Sequence, residues 1–374
     1  MRRLLVIFVL VGLVLGSLVV AVIASDWPFW QRGWHWQQAA DAVPDRIPGS
    51  WRAIGRGAGA TWPVATPDAA EQVLLSKLAD QAGTQAVLVE REGQLRLEHY
   101  APGTTVDTLL QGDALTAMLL APLYGVARQA GIELLDVPLR QLIPDWGQDT
   151  RGDITPRQLL WQTSGLESPP LHPLNPFSPR ARLASGPNFE RAALAFRSVY
   201  PPGSHFETSP ANAQLLAVVL TTVRGAPLTQ LLETELWEPL GAGRAQVALD
   251  RLGGDMAAHC CFAATGRDWL RLARLLAEEG TVGPARLLPA GFVAEMTRAT
   301  PVHPGYGLGL EIETLAGGET LLWGTAPGRL MLVAPAQRSA GVWVGQPASA
   351  AAARAALKAA LGLERAKAEG ERQP

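Results

Sequence analysis

Covalent catalysis by a side chain needs a hydroxyl or thiol beside a base, and this sequence has few places that offer both. Its six histidines (His35, His99, His172, His205, His259 and His303) show no short ligand spacing, and H-E-x-x-H does not occur. The serine elbow G-x-S-x-G is missing. So is S-x-x-K, which sets a lysine one helical turn after a serine. Lysine occurs only as Lys77, Lys358 and Lys367, and no serine lies between Ser76 and Ser164. Ser209, His205 and Asp113 could form a Ser–His–Asp set only if folding gathers them. Thr116 could replace a serine only with a base that the sequence does not place nearby. Cys260 and Cys261 are adjacent, and the peptide between them holds the sulfurs in poor geometry for a bridge. Two thiols do not complete a four-ligand zinc site, so the pair reads as buried packing residues. The expected cofactor and metal content is none.

Elements must hold whatever chemistry remains. With 374 residues, 48% hydrophobic and 18% charged, the chain is long enough for a large core and too apolar to be disordered. A formal net charge of -2 gives no electrostatic footing for nucleic acid, so no nucleic-acid partner is expected. The stretch "TLLQGDALTAMLLAPLYGVARQAG", residues 108–131, reads as the start of a long buried helix. Its residues Leu115, Met118, Leu119, Pro122, Leu123 and Val126 recur at three- and four-residue steps. "AAEQVLLSKLADQAG" has helical periodicity and stops at Gly83. Ala86–Glu90 and Gln94–Tyr100 alternate around Glu92-Gly93, which predicts a β-hairpin. In 153–166, Asp153 or Thr155 caps a helix that Pro156 opens and Gly165 ends. Residues 167–190 are Pro-rich and predict a long ordered loop with His172 at the surface. Residues 199–225 predict a turn and an apolar helix, and 253–280 a strand-like run into an amphipathic helix. Consecutive strands follow over 305–345, then an alanine-rich helix with a polar tail. This mixture predicts an α+β domain.

The N-terminal residues 4–24 carry no charge and are long enough to cross a bilayer as a helix. Arg2 and Arg3 precede them and Asp26 follows, so the positive-inside rule leaves the N-terminus in the cytoplasm. The rest then lies on the far side, periplasmic in a Gram-negative envelope, with the chain a single-pass protein of the inner membrane. The rival reading is a cleaved signal peptide, with Val22 and Ala24 flanking the cleavage site; the long apolar run favours an anchor. Trp27, Trp30, Trp34 and Trp36 either form an aromatic belt at the headgroups or pack onto the domain. The expected division is a 1–25 anchor, a 26–70 Trp/Pro/Gly-rich linker, a 71–362 domain and a 363–374 polar tail.

Several segments together resemble the serine β-lactamase and penicillin-binding-protein family, especially its esterase- and amidohydrolase-like branch. "AVLVEREGQLRLEHYAPG" is similar to the family's opening hairpin. "LLDVPLRQLIPDWGQDTRGDITPRQLLWQTSGL" resembles the stretch after the nucleophile helix, and "TPRQLLWQTSGL" is its most specific part. "YPPGSHFETSPANAQLL" resembles the loop of the second catalytic motif, and "GYGLGLEIE" with "LLWGTAPGR" the strand of the third.

The resemblance implies a β-lactamase/transpeptidase-like fold: an antiparallel sheet flanked by helices, a helical subdomain, and one transmembrane helix before them. It also implies S-x-x-K, Y-x-N and K-T-G or H-x-G motifs around one cleft. Carried over by position, the serine falls on Ala114 and the lysine on Ala117. The Tyr-x-Asn positions fall on Thr208 and Pro210, and the third motif on Trp323, Gly324 and Thr325. The expected protein is therefore a catalytically silent family member, binding a ligand or an envelope protein in its vestigial cleft, which Trp323 makes less polar. The alternative is an active hydrolase on an ester, amide or cell-wall peptide through other groups. A third reading is a structural subunit that makes contact through the Trp-rich 27–62 region.

Overall fold

Alternation fixes which way each strand faces. On residues 320–345, Leu321, Trp323, Leu330, Leu332 and Trp343 fall on one face, while Leu322, Met331, Val333, Val342 and Val344 fall on the other. A computed structural model of the chain describes residues 2–38, 50–57 and 59–363. The tail expected over 363–374 lies outside the described residues after Leu363, as do 39–49 of the expected linker.

The chain opens with α1 (Arg2–Ser25) and α2 (Trp27–Gln38). β1 (Ser50–Ile54), α3 (Ala69–Ala79), β2 (Thr84–Arg91), β3 (Gln94–Tyr100) and β4 (Leu110–Gln111) follow. A 3-10 stretch, Asp113–Leu119, leads into α4 (Leu120–Gln129). The helical part comprises α5 (Pro156–Leu160), α6 (Pro179–Ser185), α7 (Phe189–Leu194), α8 (Pro210–Arg224) and α9 (Leu228–Leu231). Then come β5 (Ala245–Leu249), β6 (Phe262–Ala264), α10 (Gly266–Ala277), β7 (Thr281–Val282), β8 (Ala285–Arg286) and α11 (Phe292–Met296). β9 (Glu311–Thr314), β10 (Thr320–Ala326), β11 (Arg329–Ala334), β12 (Ser339–Gly345) and α12 (Ala350–Ala360) complete it.

The main sheet is antiparallel, in the order β3-β2-β12-β11-β10-β9. α10 packs on one face and α3 with α12 on the other, so apolar layers lie on both sides. Its hairpin turns at Glu92 (φ 51) and Gly93 (φ 78), two left-handed residues that match the strand twist. Beside that turn Glu90 is fully buried and accepts from the Gly93 N–H at 2.9 Å. Burial pushes its carboxyl up to about 7, against the pull of Arg274. A second sheet runs β1-β5-β6-β4.

The fold departs from the sequence reading in three places. The helix expected from 108 begins as a 3-10 stretch and becomes α-helical only at Leu120. The helix capped by Thr155 ends at Leu160, because Gln162 (φ 56) and Gly165 (φ 76) turn left-handed; the Thr155–Gln158 capping box holds its start. The expected linker contributes a helix and a strand: Ser50–Ile54 pairs with Ala245–Leu249, and α2 packs on α6.

α2 is fastened to the domain. Phe29 is fully buried beneath the Arg182 guanidinium, and Asp26 pairs with Arg182. Buried Arg32 donates to Asp250 O at 2.8 Å and Gly186 O at 3.2 Å. Trp36 Nε1 donates to Ala184 O at 3.2 Å. Gly33 has no room for a side chain, since a Cβ there would lie 2.4 Å from Pro173 O. Trp27 and Trp34, two helical turns apart, face outward and stay exposed.

Candidate functional site

The positions carried over from the family line one cavity of about 1340 Å³: Ala114, Ala117, Thr208, Pro210, Trp323, Gly324 and Thr325. Residues 113–118 and 323–327 build its first wall. Asp113 takes a left-handed backbone (φ 49) and pairs with Arg329 at 3.2 Å, which sets the start of the 3-10 stretch. Ala114 is exposed and Ala117 half-buried, so two methyl groups face the space. Met118 packs so closely on Gly324 that a Cβ there would come within 2.0 Å of its sulfur. Pro327 ends the wall without an N–H.

Trp323 corrects an expectation. Strand alternation aims its indole away from the cavity, into the layer beneath α12, where it is fully buried. Its Nε1 donates to Glu313 Oε2 at 2.9 Å, and Arg354 stacks on it at 4.2 Å. The ring therefore does not make the cleft less polar. Thr325 donates to Glu311 Oε1, and Glu311 is held by Arg354 at 2.9 Å.

The floor comes from the motif "TPRQLLWQTSGL" and the start of α8. Gln162 Oε1 accepts from Asn212 Nδ2 at 2.7 Å and from Ser209 N at 3.1 Å. Ser164 Oγ donates to Asn212 Oδ1 at 2.7 Å, and Ser168 Oγ to Thr208 O at 2.8 Å. Burial, and then the Glu311 charge, push the Tyr306 phenol well above its ordinary range, leaving a neutral hydroxyl.

The second wall is built by α2, the 168–184 segment and the approach to β6. It carries Trp36, Gln37, His172, Asn175, Arg180 and His259. Gln214 Nε2 donates to Met256 O at 3.1 Å, while its Oε1 accepts from Ala258 N at 3.1 Å. His259 Nδ1, 3.3 Å from that oxygen, is thereby assigned the proton, and Nε2 keeps its lone pair. Burial, and then the Arg180 charge, lower His259 to about 3, so the ring is neutral. Sequence reasoning left Arg180 and Gln162 unremarked and placed His172 at the surface; His172 is exposed, but at this cavity.

The other candidates are engaged elsewhere. Thr116 is buried, and its Oγ1 accepts from Phe262 N at 3.2 Å. His205 stacks on Tyr200, Ser209 Oγ donates to Glu167 O at 3.3 Å, and Asp113 holds Arg329. Among the described residues no hydrogen bond joins His205, Ser209 and Asp113. Cys260 and Cys261, expected as free packing residues, form a disulfide; the left-handed Cys261 backbone (φ 70) allows what an ordinary dipeptide forbids. Both remain buried, and Cys260 reaches the cavity.

An antiparallel sheet between helical layers, with a cavity where the 3-10 stretch before α4 and the start of α8 meet β10, defines a β-lactamase/transpeptidase fold. The Beta-lactamase family matches residues 72–362, and the chain belongs to that family of serine hydrolases. Among solved structures it is similar to a protein from Bacillus anthracis described as a 6-aminohexanoate-dimer hydrolase, with TM-score 0.71 and 18% identity over 90% of this chain and 94% of that one. A penicillin-binding protein from Bacillus halodurans gives TM-score 0.58 and 18% identity, over 76% of this chain and 99% of that one. A D-stereospecific amidohydrolase from Streptomyces sp. gives TM-score 0.53 and 22% identity, over 76% and 97%. Comparison with curated proteins gives no match.

Proposed function

We propose that this chain is a membrane-anchored, catalytically silent member of the family that binds a ligand or an envelope partner in the cavity. One observation carries the reading: where acyl transfer on this scaffold needs a hydroxyl beside an amine, Ala114 and Ala117 present methyl groups. The hydroxyls left on that wall are engaged: Thr325 donates to Glu311, which Arg354 holds. Thr116 is committed to the backbone of β6, and Gly324 and Pro327 carry no acid or base.

Anchoring rests on separate support. Ile7–Ser25 is a helix long and apolar enough to span a bilayer, and none of it is buried against the domain. Arg2 and Arg3 before it favour a cytoplasmic N-terminus. The Cys260–Cys261 disulfide suits an oxidising compartment, which agrees with a domain outside the cytoplasm. The exposed Trp27 and Trp34 suit the headgroup level.

The test uses the full chain in detergent, with a fluorescent penicillin and p-nitrophenyl esters. Neither labelling nor turnover is expected. Covalent labelling, or ester turnover abolished by one substitution, would overturn the reading.

A further inference from the structure

We propose that Arg180 is the anion-binding group of the cavity, and that it holds a carboxylate or phosphate of the ligand. The inference rests on the reading of the cavity as a binding site and names the chemical class that the site would take.

The first observation is a cation without a counter-charge. Arg180 is half-buried and lines the cavity, yet among the described residues it makes no ion pair and no hydrogen bond. Several other half-buried or buried arginines behave differently. Arg151 holds Asp149, Arg157 holds Asp136 and Glu295, Arg271 holds Asp268, and Arg354 holds Glu311. A guanidinium taken partly out of water is costly unless paired, and it stays charged at any working pH. Burial lowers its pKa, and no carboxylate offsets that effect.

The second observation is the company it keeps. Gln37, Ser168, His172, Asn175 and His259 line the same cavity, and each is a small polar group able to donate or accept a hydrogen bond. His259 is neutral, so it adds neither repulsion nor a competing charge near the guanidinium. The carboxylate at this cavity, Glu311, is already held by Arg354 and Thr325. The wall thus presents one fixed positive charge among polar side chains, with a planar fork that fits carboxylate or phosphate oxygens in pairs.

The third is reach. Trp36 and Gln37 of the same wall sit on α2, which begins directly after the apolar helix α1. Trp36 lies eleven positions beyond Ser25, roughly 17 Å at about 1.5 Å per helical residue. An anionic lipid headgroup and a dissolved anion therefore both come within range.

The test uses the full chain in phosphatidylcholine nanodiscs, with thermal unfolding as the readout. In one arm, inorganic phosphate replaces chloride at constant ionic strength. In the other, phosphatidylglycerol replaces part of the phosphatidylcholine. Phosphate is expected to raise the Tm of the wild-type chain in proportion to its logarithm at high concentration, and to leave Arg180→Met unmoved. A rise with phosphatidylglycerol alone, lost in Arg180→Met, would support the same site and assign the anion to the bilayer. Arg180→Gln repeats the comparison should Arg180→Met lose its cooperative transition. The proposal is overturned if neither anion raises the wild-type Tm, or if the substituted chains respond as the wild type does. Penicillin labelling with the anion response intact would remove the silent reading and leave this site standing; no labelling and no anion response would do the reverse.

Discussion

On one side of the cavity stand Ala114, Ala117, Met118 and Gly324; on the other stand Gln37, His172, Arg180 and His259. The first group carries no acid, base or nucleophile, and runs from exposed Ala114 to buried Met118. Met118 lies too close to Gly324 for a side chain there, while the exposed Ala114 methyl faces open space. The second group comes from α2, the 168–184 segment and the approach to β6, and it is polar, with one charge left unanswered. The difference separates two demands that an enzyme of this fold must meet at once. On the proposed reading, one wall lacks reactive groups while the other offers polar ones to a ligand.

The largest expected effect sets His259 of the polar wall against buried Glu90 of the main sheet through pH. Glu90 is protonated more readily folded than unfolded, so its contribution is complete below 4.5 and lost as pH rises through about 7. His259 is the reverse: its contribution is complete above 6.5 and lost as pH falls toward about 3. Between pH 4.5 and 6.5 the two slopes oppose each other at about 1.4 kcal/mol per pH unit each. Urea unfolding across that window should therefore show Glu90→Gln losing roughly 2.5 kcal/mol against wild type toward acid, and His259→Asn gaining as much. Parallel curves for His259→Asn and wild type would mean that the ring is not held neutral.

A smaller effect tests whether α2 belongs to the polar wall. Arg32→Ala leaves the Gly186 and Asp250 carbonyls without their buried donor, at a cost of about 2 kcal/mol. Hydrogen exchange in α2 should accelerate while that in β10–β12 stays unchanged. Equal acceleration in both regions would show that α2 and the sheet open together. The smallest effect concerns the other wall. Ala114→Ser should change stability by less than about 0.5 kcal/mol, because the site is exposed, and should remain unlabelled by fluorescent penicillin. Labelling of that variant would reveal a base that the wall conceals.

Turn and cap chemistry was legible in the sequence where helix extents were not. Alternation around Glu92-Gly93 gave the hairpin, and Thr155, one of the two caps on offer with Asp153, opens α5. Trp323 and Gly324, both expected at the cleft, are parted by strand alternation, and the layer beneath α12 takes the indole. Arg180 and His259 are far apart in the chain and meet through tertiary packing, so no spacing could announce them. The disulfide was illegible for a conformational reason: it depends on a left-handed residue at Cys261, which cysteine rarely adopts. α2 was half legible. Trp27 and Trp34 share an outward face, as a belt would, but Phe29, Arg32 and Trp36 turn inward on contacts with α6 and Asp250 that lie far along the chain.

α2 is both the stem on which the domain stands and a panel of the chamber inside it, because Trp36 and Gln37 at its end border the empty space. A shortened chain beginning at residue 39 would shed the greasy leader and dissolve more readily, but it would also arrive with one side of its chamber torn away. Affinities measured on such a fragment would describe a different vessel.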